Sequence, residues 1–198
     1  MINTKKMLVA SALLSFAITA FAADFSAKSN EELLNLYAQY GSMSVSDTAD
    51  LRLELMRRAD KLQGNEKKSF MDKMRGNYDK ATESWSVSKW RSYRESVNKE
   101  YDKKRQNDAL AKQAKYGSLS ATEAAELRLE IHKITAFLDP ASKKTFQEKL
   151  TKAQDKAIGS WTMKQYREYR TAVNNEFKKL TEKMPEDEKK RLGITATH

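Results

Sequence analysis

The sequence predicts an all-α protein: two tandem repeats of about four helices each, arranged as helical hairpins that a long connecting helix can join. Three observations predict it. Tyr40-Gly41-Ser42 returns 76 residues later as Tyr116-Gly117-Ser118, and the same offset carries Leu51-Arg52-Leu53-Glu54 to Leu127-Arg128-Leu129-Glu130 and Trp85 to Trp161. A repeat kept in register without a gap is one duplicated structural unit. Glycine and proline are sparse, 6 and 2 in 198 residues, while charged residues make up 32%, a composition suited to helices with solvated faces. Apolar residues recur at spacings of three and four, which puts them on one helical face.

The elements follow in order. Ser29-Asn30-Glu31-Glu32 has the form of a capping box ahead of Leu33, Leu34, Leu36 and Tyr37, so a short helix should run to Tyr40 and stop at Gly41. The next starts near Ser44 or Ser46 and buries Leu51, Leu55, Ala59 and Leu62; Gly64 should close it. Its second copy opens on the better capping box Ser120-Ala121-Thr122-Glu123 and ends at Leu138, before Asp139-Pro140, an N-cap followed by the favoured first-turn residue. The third helix carries Phe70, Met74, Tyr78 and Ala81, or Phe146, Leu150, Ala153 and Ala157, and ends close to Trp85 and Trp161. Ser86 and Thr162 cap a fourth, with Trp90, Tyr93, Val97 and Tyr101 answering to Tyr166, Tyr169, Val173 and Phe177. Between Gly76 and Gly117 there is neither glycine nor proline, so one continuous helix can join the repeats at a defined angle.

The ends add a compartment. Lys5 and Lys6, the uncharged run Met7 to Thr19 and the box Ala20-Phe21-Ala22 have the pattern of a cleaved secretory signal. A run of about 13 residues is short of the roughly 20 that span a bilayer. The expected division is a signal peptide over 1–22, repeat 1 over 23–104, repeat 2 over 105–183 and a flexible, aperiodic C-terminal tail over 184–198. Periplasmic localisation and no transmembrane anchor follow as expectations.

Absences bound the chemistry. Without cysteine there are no disulfides, thiol catalysis or cysteine-bound zinc. The two histidines share no helical face: His132 aligns with Met56, and His198 is the last residue. No nucleophile elbow and no glycine-rich phosphate loop is present. Asp60 aligns with Ala136, so it fails the requirement that a repeated active site keep its acid in both copies. The expectation is a protein that is not an enzyme and takes no cofactor or metal. Net charge is +10, falling to +8 without Lys5 and Lys6, which favours anionic partners. Nucleic acid fits that charge but not the compartment.

One repeated cluster is a candidate ligand or client surface: Trp85, Trp90, Arg91, Tyr93 and Arg94, matched by Trp161, Tyr166, Arg167, Tyr169 and Arg170. Either the rings are core and the arginines lie over them, or rings and guanidinium groups face outward to hold an acidic or unfolded ligand.

The repeated Leu-Arg-Leu-Glu-Leu/Ile segment and the Trp-Ser/Thr-x-x-x-aromatic-Arg-x-Tyr-Arg segment resemble a family of small secreted helical proteins known only as a domain of unknown function, in two tandem copies. The chain is also distantly similar to periplasmic chaperones of the Spy and CpxP type, marked by a Leu-Thr-x-x-Gln motif used twice. Trp161-Thr162-Met163-Lys164-Gln165 and Leu119-Ser120-Ala121-Thr122-Glu123 are variants of it, and Met43-Ser44-Val45-Ser46-Asp47 and Trp85-Ser86-Val87-Ser88-Lys89 are more remote ones. All four equally have the form of an apolar residue, a hydroxyl cap and a polar N3 side chain. That similarity implies a thin helical protein binding apolar and charged client segments without ATP. The leading expectation is therefore a chaperone-like or envelope-stress-related periplasmic binding protein for unfolded or extended envelope proteins. The alternative is a cationic adaptor for an anionic envelope polymer such as lipopolysaccharide, acidic glycan or peptidoglycan. Homodimerisation through an apolar helical face stays open, since thin units of this size bury little alone.

Overall fold

A computed structural model describes residues 25–194, and among them the chain is helical with no strand. The signal-peptide assignment over 1–22, with its Ala20-Phe21-Ala22 box, and the last residues including His198 lie outside the described residues. Copy 1 consists of α1 (Asn30–Tyr37), α2 (Val45–Lys61), α3 (Gly64–Thr82) and the first part of α4 (Val87–Gln113). Copy 2 uses the rest of α4, then a 3-10 turn (Tyr116–Ser118), α5 (Ala121–Thr135), α6 (Pro140–Ile158) and α7 (Met163–Glu182). A short α8 (Glu186–Arg191) follows.

The caps explain the boundaries. Ser29, Ser120 and Thr162 form full capping boxes with Glu32, Glu123 and Gln165, Ser44 and Ser86 accept from the Asp47 and Lys89 amides, and Asp139 accepts from those of Ala141 and Ser142. Every segment with the Leu-Thr-x-x-Gln outline is thus a helix N-cap. Satisfying otherwise free amide donors accounts for its hydroxyl and polar residues. Thr162→Ala should cost about 1 kcal/mol in chemical denaturation, with Thr162→Ser close to wild type, because only alanine removes the oxygen that the Gln165 amide donates to.

α4 is one helix of 27 residues, about 40 Å at 1.5 Å per residue. Its C-terminal part, 106–113, stands 76 residues after α1, so the fourth helix of copy 1 runs without a break into the first helix of copy 2. The core of copy 1 gathers Leu33, Leu51, Leu55, Ala59, Phe70 and Val97. Copy 2 repeats the scheme in two adjoining clusters, one around Ala109, Leu127, Phe146 and Leu150 and one around Ala124, Ala125, Val173 and Phe177. One pair shows how the copies diverged. Tyr37 stacks on Tyr78 with centroids 6.4 Å apart, and at the same two positions Gln113 Nε2 donates to Gln154 Oε1 at 3.1 Å. Polar contacts also tie the copies together beside α4: Arg57 to Asp108 at 3.3 Å and Lys133 to Asp60 at 3.1 Å. Asp60, present in one copy only, is a junction residue.

Two expectations are corrected. Gly64 does not close α2, which ends at Lys61 with Leu62 extended; it opens α3 at φ +51°. The tail beyond 184 is not aperiodic throughout. Pro185 precedes α8, acidic residues fill its first turn and basic ones its last, matching the helix dipole. Gly193, at φ +66°, donates to the Lys190 carbonyl while Ile194 donates to that of Lys189, a Schellman ending. Leu192 is buried.

Candidate functional site

The repeated aromatic cluster is built from the turn upward. Tyr40-Gly41-Ser42 leaves α1 with Gly41 at φ +90°, and a side chain there would enter the Trp85 indole. In copy 2 a side chain on Gly117 would meet the Ala157 carbonyl oxygen at 2.8 Å and Trp161 at 3.4 Å. Trp85 therefore lies across a glycine that cannot carry a Cβ, whereas at Gly117 the close neighbour is the Ala157 backbone and Trp161 packs at ordinary contact distance. Tyr93 stands edge-on to Tyr40 (5.2 Å) and Trp85 (5.4 Å), as Tyr169 does to Tyr116 (5.4 Å) and Trp161 (5.2 Å). The Tyr93 hydroxyl donates to the Met43 carbonyl at 3.0 Å and the Tyr169 hydroxyl to that of Leu119 at 2.8 Å. Burial pushes the Tyr169 phenol up to about 12, so the donor proton is retained at every physiological pH.

The arginine of the Leu-Arg-Leu-Glu motif belongs to the same architecture. Arg52 lies 4.5 Å from the Tyr101 ring centroid and donates to Asn98 Oδ1. Arg128 lies 4.1 Å from that of Phe177 and donates to Asn174 Oδ1 at 2.9 Å. A cation held between a ring and an amide binds α2 to α4 and α5 to α7. Burial lowers the Arg128 pKa.

The ten candidate residues thus separate into two groups. Trp85, Tyr93, Trp161 and Tyr169 are half-buried packing elements. Trp90 and Tyr166 are also half-buried, with Trp90 Nε1 donating to the Tyr78 hydroxyl at 2.6 Å and the Arg94 guanidinium 4.9 Å from the Trp90 ring. Arg91, Arg94, Arg167 and Arg170 are exposed, and among the described residues none of the four is in an ion pair.

One member of this surface escaped the sequence reading. Val87 is 68% exposed and Met163, its counterpart, 62%. Val87, Arg91 and Arg94 are spaced i, i+4, i+7, as are Met163, Arg167 and Arg170, so each copy carries an apolar residue and two cations along one exposed helical stripe. The signal was available: this stripe is offset from the buried face of Val97 and Tyr101, or Val173 and Phe177.

Among the described residues no group of three or more histidine, aspartate or glutamate side chains is placed to hold a metal ion, and no helix is long and apolar enough to cross a membrane. No curated protein and no solved structure matches the chain. A family model described as a protein of unknown function (DUF1104) matches twice, over residues 24–108 and 101–194. The overlap of the two matches falls within α4, where one copy passes into the other. The chain therefore belongs to the DUF1104 family, as two tandem copies of its domain joined through a shared helix.

Proposed function

We propose that this is a non-enzymatic periplasmic binding protein, exported by a cleaved signal over residues 1–22, that holds unfolded or extended envelope proteins in a chaperone-like role. The observation that carries the proposal is the exposed stripe of Val87, Arg91 and Arg94 repeated as Met163, Arg167 and Arg170. An apolar residue leaving most of its surface in water beside uncompensated guanidinium groups suits a segment that offers both apolar and acidic side chains. Two such stripes on a chain joined by one continuous helix favour an extended ligand, since the second contact becomes intramolecular once the first is made. At stoichiometric amounts the protein should suppress light scattering by a refolding, aggregation-prone client; no suppression across several unrelated clients would remove the proposal.

The same four arginines, with the net charge of +8 that remains once Lys5 and Lys6 are removed, favour a second reading, an adaptor for an anionic envelope polymer. Its binding should fall steeply as salt shortens the reach of surface charge to about 8 Å at physiological strength. Client binding keeps an apolar share that salt does not screen.

A further inference from the structure

We propose that residues 184–194 form a latch over copy 2, held closed by His132 and released when acid protonates that imidazole. The latch exists in one copy only. Where α4 continues through Ala109, the position 76 residues later is Pro185, which ends the run after α7 and lets the chain turn back through α8. His132, too, has no histidine counterpart, its equivalent being Met56. These two peculiarities of copy 2 meet: His132 Nδ1 lies 3.1 Å from the Leu192 carbonyl oxygen.

The seat of the latch is mainly apolar. Leu192 is buried, Ile194 packs on the cluster of Ala124, Ala125, Val173 and Phe177, and the Arg191 guanidinium lies 5.9 Å from the ring of Phe137. The imidazole itself lies 5.7 Å from the Phe177 ring. Its surroundings disfavour a further positive charge. α7 offers Phe177, α5 itself the cation Arg128, and α6 the cation Lys143; only the Leu192 carbonyl of the latch favours protonation. Burial, then these two cations, holds the His132 pKa below its ordinary value of 6.5 despite that hydrogen bond.

The direction follows by linkage. Opening rehydrates the imidazole and takes away the Leu192 carbonyl, while Arg128 and Lys143 act in both states; burial is the largest cause of the lowered pKa, so the open form binds a proton more readily than the closed one. Closure therefore weakens as pH falls into and below the ordinary histidine range, because the open form binds the proton better. Between pH 7.5 and 5.5 the open-to-closed ratio can rise up to about tenfold. Opening bares Leu192, Ile194 and the cluster beneath them, adding apolar surface to copy 2.

The absence of cysteine allows a nitroxide to be placed on Lys190→Cys, an exposed position of α8. With His198→Ala making His132 the sole histidine, the label should be immobilised at pH 7.5 and gain a mobile fraction on descent to pH 5.5, with unchanged far-UV circular dichroism. His132→Gln keeps a donor for the Leu192 carbonyl but no titrating charge, and should stay immobilised throughout. A label that stays immobilised to pH 5.5 in the histidine chain, or that is released equally in His132→Gln, would overturn the latch. Neither readout involves a client, so its failure is separate from that of the proposed function.

Discussion

Gly41→Ala is expected to destabilise the protein by about 2–5 kcal/mol, measured by urea denaturation. Two costs add. At φ +90° an L side chain leaves its allowed region, costing about 1–2 kcal/mol, and the new Cβ enters the Trp85 indole, where overpacking costs about 1–3 kcal/mol. The indole cannot retreat freely, since Tyr40, Tyr93 and the Lys89 ammonium, 4.4 Å from its centroid, surround it. Gly117→Ala is the control within the same molecule. It carries no positive φ among the described residues, and its Cβ meets a backbone oxygen of α6 and the edge of Trp161, so only the overpacking cost of about 1–3 kcal/mol applies. Equal losses at the two glycines, or a loss below about 1 kcal/mol at Gly41, would mean that the indole does not lie across the turn.

Asn107→Pro should cost about 3 kcal/mol or more, with Asn107→Ala nearly neutral. Asn107 is exposed in the interior of α4, so the damage comes from the backbone: proline removes an amide donor and collides with the preceding turn. The site corresponds to Glu31 in the first turn of α1, where an independent helix begins in copy 1. The substitution should therefore split α4 between the copies, turning one cooperative thermal transition into two by calorimetry. Lys133–Asp60 would remain, but a contact of this kind gives too little to replace a continuous helix. A single transition with unchanged midpoint would show that α4 does not couple the repeats.

Local signals made most of the fold readable in the sequence. Ser29, Ser86, Ser120, Asp139 and Thr162 cap the helices their sequence context predicts, and of the two candidates Ser44 and Ser46 it is Ser44 that caps α2, since a cap and the apolar face behind it lie within a few residues of each other. Gly64 was harder because a glycine between two helices can end one or begin the next. The sequence at α8 carries start and stop residues, Pro185 and Gly193, yet a six-residue helix is too short to display a period. The candidate surface was less readable. Trp85 and Arg91 stand six residues apart in one cluster, but the first is wedged against a glycine of the turn between α1 and α2 and the second is exposed to water. That distinction depends on tertiary contacts. The pairing of His132 with Leu192 spans 60 residues and could not be seen in a comparison of the repeats, where each is simply an odd residue.

The central claim is that the two stripes act together on one extended client. Fluorescence anisotropy with a labelled, permanently unfolded model protein tests it directly, comparing wild type with Val87→Ser, Met163→Ser and the double variant. Both side chains are largely exposed, so circular dichroism and thermal midpoints should not move. The account predicts weaker binding for each single variant and loss of binding for the double. A double variant that binds as tightly as wild type would contradict it.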